Sequence, residues 1–181
     1  MKRIVLVVVG IVAIAPHAYA QSDAVLIEQA LSAAAGRAGQ NATVIKWTAD
    51  QTYTTIQEGT NQVVCYSRAD ARDRPAFAVQ CTTIANLERV AQNRKFRAES
   101  TDADGERALV AAAAQNGTRV PAAYGSFFTS ANGADQAGAF SHTTISMPGA
   151  TTASSGFPDN PKQGGAWIMA PGTSEAHLML P

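Results

Sequence analysis

Residues 43–67 read TVIKWTADQTYTTIQEGTNQVVCYS, and this stretch decides the fold class. Its segments 43–48, 52–57 and 62–67 are rich in Thr, Val, Ile, Trp and Tyr, the β-branched and aromatic composition that suits a pleated surface. Glu58-Gly59-Thr60-Asn61 supplies a turn between the last two. The spacing predicts a meander of short strands. Upstream, Ser22 or Asp23 can cap a helix over 24–37, where Val25, Leu26, Ile27, Ala30, Leu31 and Ala34 give apolar positions and Gly36 and Gly39 are terminators. Downstream, 75–81 can pair back as a strand. A helix then starts at Thr83 or Asn86 and runs through Phe96, with Ile84, Leu87, Val90 and Ala91 on one side. Asp102 or Asp104 caps another helix over 106–115, which Asn116-Gly117 ends.

From Val120 the character returns to strands, expected at 123–129, 139–146, 166–170 and 175–180. Turns at Asn132-Gly133, Pro148-Gly149 and Pro171-Gly172 separate them, and 149–165 reads as a Thr/Ser/Gly/Pro-rich loop. The expectation is one α+β domain: an N-terminal helix, antiparallel strands with two further helices, and C-terminal strands.

The N-terminus reads as an export signal. Lys2 and Arg3 precede an uncharged apolar run over 4–15, Pro16 breaks it, and Ala18-Tyr19-Ala20 is a small-x-small cleavage site. That run is too short for a spanning helix, which needs roughly 20 residues. Residues 1–20 are therefore expected to be a signal peptide and 21–181 a single exported domain, periplasmic or secreted, with no stable membrane insertion. Of 14 basic and 14 acidic residues, cleavage removes Lys2 and Arg3 and leaves 12 against 14. A chain so near neutrality lacks the basic surplus that captures nucleic acid.

Cys65 and Cys81 are the two cysteines. In an oxidising compartment they are expected to form a disulfide, closing the 15 residues 66–80 with a stabilisation of about 3 kcal/mol on the chain-entropy model. The enclosed segment carries Arg68, Asp70, Arg72, Asp73, Arg74 and Pro75, a loop composition. The absence of C-x-x-C spacing argues against a redox or metal-binding pair.

Signatures of chemistry are sparse. The chain has no G-x-S-x-G elbow, H-E-x-x-H helix, phosphate-binding glycine loop or S-x-x-K motif. No catalytic residue and no cofactor is assigned. Ser126, Ser154 and Ser155 are possible nucleophiles only if His142 or His177 lies beside one of them in space. Asp102, Asp104 and Glu106 suggest a calcium loop, but the later bidentate acid is missing and helix capping is the better reading. Arg89, Arg94, Lys95 and Arg97 form a basic cluster able to bind an anion, although such a run more often is a solvated helix face. On the last strand, alternation puts Glu175, His177 and Met179 on one side. Imidazole and thioether at that spacing are ligands that copper accepts, so His142, His177 and Met179 are the candidate metal set. His142, His177 and Glu58 are the candidate ligand-binding set, Glu58 because of its place in a turn.

Several patches resemble an uncharacterised family of small exported bacterial proteins of unknown function. They are Trp47-Thr48-Ala49-Asp50, Glu58-Gly59-Thr60-Asn61 shortly before Cys65, then Cys81, and Pro171-Gly172-Thr173-Ser174-Glu175-Ala176-His177-Leu178-Met179. Members of that group more often have Pro-Tyr where Ser174-Glu175 stand and Trp-Thr where Val63-Val64 stand. The resemblance implies an exported, disulfide-containing domain and brings no activity, substrate or cofactor. The functional expectation is a non-enzymatic binding or structural role in the cell envelope, with partners unknown. The alternative is a copper- or zinc-binding or hydrolytic envelope enzyme using His142 and His177.

Overall fold

The computed structural model describes residues 22–34 and 36–180. The signal segment expected over 1–20 lies outside the described residues. The strands are β1 (Thr43–Trp47), β2 (Tyr53–Gln57), β3 (Val63–Ser67), β4 (Phe77–Thr83), β5 (Phe127–Gly133), β6 (Phe140–Ser146), β7 (Trp167–Met169) and β8 (His177–Leu180). The helices are α1 (Asp23–Leu31), α2 (Arg37–Gln40), α3 (Leu87–Glu99), α4 (Ala103–Gln115) and α5 (Thr152–Ser155). All eight strands belong to one sheet, in the order β2-β1-β3-β4-β5-β6-β8-β7. The α+β expectation holds.

The N-terminal strands depart from the meander. β1 and β2 form a hairpin, but β3 lies on the other side of β1 and runs parallel to it. To get there, residues 58–61 cross the start of β1, where the Asn41 carbonyl accepts from the amides of Thr60 (2.9 Å) and Asn61 (3.2 Å). A Cβ on Gly59 would lie 2.3 Å from the Thr43 amide nitrogen, so only glycine lets the chain pass this closely. Every other pairing is antiparallel.

The first helix is shorter than expected. Ser22 caps α1 by accepting from the Val25 amide, as its position predicted, but the helix stops at Leu31 instead of reaching Arg37. Gly36, with φ 64°, starts the separate turn α2. Asp102 caps α4 through its side chain, accepting from Gly105 N at 2.8 Å. Asp104 and Glu106 pair with arginines, Arg107 and Arg97 respectively.

The pleat sorts the side chains into two faces. On one, Val44, Val63, Cys65, Phe77, Val79, Cys81 and Ala131 pack against Ala30 and Ala33 at the end of α1. The small alanines let the helix approach closely, and Cys81 Sγ lies 3.5 Å from the Ala30 carbonyl. Cys65 and Cys81 are direct cross-strand partners of β3 and β4 and are disulfide-bonded, with their Cα atoms 4.1 Å apart. On the other face, Ile45, Trp47, Val64 and Tyr66 pack against Leu87 and Val90 of α3. A third small cluster, Ala150, Ile168 and Ala176, anchors β7 and β8. Among the described residues no helix is long and apolar enough to cross a membrane.

Candidate functional site

The α3 face is not closed by hydrocarbon alone. Beyond Leu87 and Val90 the helix presents Arg89, Asn93, Arg94 and Arg97, and between it and the sheet lies a cavity of about 260 Å³. Its floor is given by the register: Tyr66 faces Gln80, Phe128 faces Thr144, and Ser146 faces His177 across paired strands. The loop after β3 closes one end with Arg68 and Arg74, and Ser174-Glu175-Ala176 the other. The disulfide ties together the two strands from which that arginine-bearing loop emerges.

The basic run on α3 is therefore not a solvated face, and that expectation is corrected. Arg89 is 5 % exposed and Arg94 9 %. Only Lys95 of the four is fully exposed. Arg94 forks onto both Asp70 oxygens, at 2.5 and 3.3 Å, donates to Gln51 Oε1 at 2.8 Å, and stacks 4.9 Å from the Trp47 ring. Arg97 makes a two-point bridge with Glu106 at 2.8 and 2.9 Å, and Arg72 joins the same carboxylate at 3.4 Å.

Glu175 serves two arginines. Arg89 Nη2 lies 2.5 Å from one oxygen and Arg119 Nε 3.0 Å from the other. Arg89 Nη1 also donates to the Val120 carbonyl, and Arg119 Nη1 and Nη2 donate to Gln92 Oε1 and Asn93 Oδ1. Burial pushes the Glu175 carboxyl up, but the hydrogen bond from Arg119 and the charge of Arg89 outweigh it and hold the carboxyl below its ordinary value.

Arg68 and Arg74 differ. Arg68 donates from Nη1 to Ser130 Oγ at 3.1 Å, beside a chain in which Tyr66 O–H donates to Gln80 Oε1 (2.8 Å) and Gln80 Nε2 to Ser130 Oγ (2.8 Å). The Nε atoms of both arginines are buried and have no acceptor among the described residues. Neither guanidinium has a carboxylate within ion-pair distance among the described residues, whereas the other three lining arginines each have one. Burial, and then the nearby Arg74 charge, lower the Arg68 guanidinium to about 10. Arg74 is lowered by burial and by Arg97, against the opposing charges of Glu106 and Asp73. Both remain cations at neutral pH.

Of the residues singled out in the sequence, His177 lines this cavity, its Nδ1 2.7 Å from the Glu175 carbonyl oxygen. His142 shares its face of the sheet but pairs with Ser130, four residues along β6 from the Ser146 that His177 faces, roughly 13 Å at strand rise. Met179 faces Thr144. Glu58 is exposed beside β2, at the far edge of the sheet, with five strands between β2 and β8. The fold therefore does not gather His142, His177 and Glu58 at one place. Among the described residues no three His, Cys, Asp or Glu side chains converge as a metal set. The candidate serines have structural partners: Ser126 Oγ accepts from Asn86 and donates to Ala123 O, while Ser154 and Ser155 bond Thr151 at the start of α5. In sequence Arg68 and Arg74 read as loop polarity; the one signal for Arg68 is that it stands two positions past Tyr66, on the same face at the end of β3.

Comparison with family models, curated proteins and solved structures found no match.

Proposed function

We propose that the chain is a non-enzymatic binding domain, exported to the periplasm or secreted, and that it holds a small molecule between α3 and the sheet. The observation that carries this reading is the cavity. Polar groups from the loop after β3, from α3 and from β4, β6 and β8 converge on it, with Phe128 and Val90 giving apolar wall. That is the make-up of a ligand site, a concave pocket with a few placed polar groups. At about 260 Å³ it suits a molecule at or below the small end of the usual range. Export is supported by the basic n-region, the apolar run and the Ala18-Tyr19-Ala20 site, and by the Cys65–Cys81 disulfide, a bond that persists in oxidising compartments.

Native mass spectrometry of the protein from its own exported fraction tests both parts. The expected mass is that of residues 21–181 less two hydrogens, with a small-molecule adduct that is lost in Thr144→Trp, a substitution that fills the cavity floor. A mass including residues 1–20 would contradict cleavage of the signal, and absence of the protein from the exported fraction would contradict export. Equal adducts on the wild type and Thr144→Trp, or none on either, would contradict the binding site.

A further inference from the structure

We propose that the bound molecule carries a doubly charged oxyanion group, phosphoryl or sulfuryl, and that Arg68 and Arg74 seat it. This rests on the cavity being the ligand site and names the chemistry it takes. Around the cavity, charge is matched everywhere except at one end: Arg89 is answered by Glu175, Arg94 by Asp70 and Arg97 by Glu106. Arg68 and Arg74 have no such partner among the described residues, and each keeps a buried Nε–H with no acceptor. Both side chains are half-buried, so a cation without a counter-charge carries part of a desolvation cost, and each buried Nε–H left without an acceptor adds to it. Departures of this kind are expected where a ligand completes the arrangement.

The chemistry of the donors narrows the class. A guanidinium offers a planar fork that matches the oxygens of carboxylate or phosphate. Two of them, neither with a carboxylate at ion-pair distance among the described residues and Arg74 feeling Glu106 and Asp73 only at longer range, would be better neutralised by one dianion than by a monocarboxylate. The organic part of the ligand would lie against Phe128 and Val90, which line the same cavity.

Titration calorimetry at constant ionic strength decides the matter, using inorganic phosphate, sulfate, phenyl phosphate and acetate as probes. The expected result is binding of the dianions but not of acetate. Arg68→Gln and Arg74→Gln should each weaken binding at least about tenfold, as the loss of a charged hydrogen-bond donor implies. Arg68→Lys should recover part of it, and Arg107→Gln, at an exposed ion pair on α4, should change nothing. Tighter binding of phenyl phosphate than of phosphate would identify an ester as the ligand class; equal binding would identify the free ion. Near-UV circular dichroism checks each variant, and if Arg68→Gln fails to fold, Arg74→Gln and Arg68→Lys carry the test. Acetate binding as well as phosphate, or equal heats in all variants, would overturn the proposal. A neutral molecule found by native mass and lost in Thr144→Trp would overturn it while leaving the binding site intact; no adduct and no heat would overturn both.

Discussion

Two pairs of arginines are held in opposite ways: Arg68, Arg74 and Arg89 line the cavity, and Arg119 shares Glu175 with Arg89. Arg89 and Arg119 enclose Glu175, and Gln92, Asn93 and the Val120 carbonyl also accept from them. Arg68 and Arg74 come from a loop, share no carboxylate, and each has an unmet Nε–H. The first pair joins α3 to the segments before β5 and before β8 and is complete without any other molecule. The second has no carboxylate within ion-pair distance among the described residues. The contrast teaches that burial of an arginine says little by itself, and that the state of its partners separates a structural bridge from a candidate receptor.

The strongest way to break this contrast is to remove the shared acid. Glu175→Ala leaves two nearly buried guanidiniums unanswered; because Glu175 itself is 36 % exposed and water can reach its place, the expected loss is about 2–3 kcal/mol, below that of a fully buried pair, read as a shift of the urea midpoint. A loss below about 1 kcal/mol would show that Arg89 and Arg119 find solvent instead. Comparable in size is the disulfide. Its reduction should cost about 3 kcal/mol and raise amide exchange first in the loop bearing Arg68 and Arg74, with α3 and the Glu175 cluster less affected. Uniform exchange across both regions would mean that the bridge does not act locally.

Acid titration gives the smallest effect and sharpens the same comparison. The Glu175 carboxyl is held below its ordinary value of 4.5, so near that pH the unfolded chain binds more protons than the folded one. Its contribution is therefore fully present above about 4.5 and is lost as pH falls through the folded-state value. Glu175→Gln should flatten that limb of the stability curve, whereas Arg68→Gln should leave its shape unchanged. An unchanged limb in Glu175→Gln would remove the ionic account of the first pair.

Local patterns told most of the fold. The strands at 43–47, 53–57 and 63–67 follow from their β-branched and aromatic residues, and the caps at Ser22 and Asp102 from side-chain oxygens that reach the third amide beyond. The parallel placement of β3 was not legible, because it depends on a backbone crossing that shows in sequence only as Gly59. The site was largely hidden for a related reason. Arg89 finds its acid 86 positions away and Arg94 finds Asp70 24 positions away, separations over which no helical or strand period operates. Read locally, those arginines look solvated. His177, singled out as a ligand residue from its chemistry and its alternation with Glu175 and Met179, lines the cavity, but its neighbours there are Glu175 and Ser146, and His142 and Glu58 are elsewhere on the sheet.

The central claim is that Arg68 is held for a ligand and Arg89 for the fold. The measurement that tests it most directly is urea unfolding of Arg68→Met and Arg89→Met, each without phosphate and with phosphate added at constant ionic strength. The account predicts that Arg68→Met is at least as stable as the wild type without phosphate and gains nothing from it, while the wild type gains; Arg89→Met loses about 3 kcal/mol in both conditions. An equal loss in both variants, with phosphate stabilising neither or both alike, would make Arg68 one more structural arginine and contradict the account.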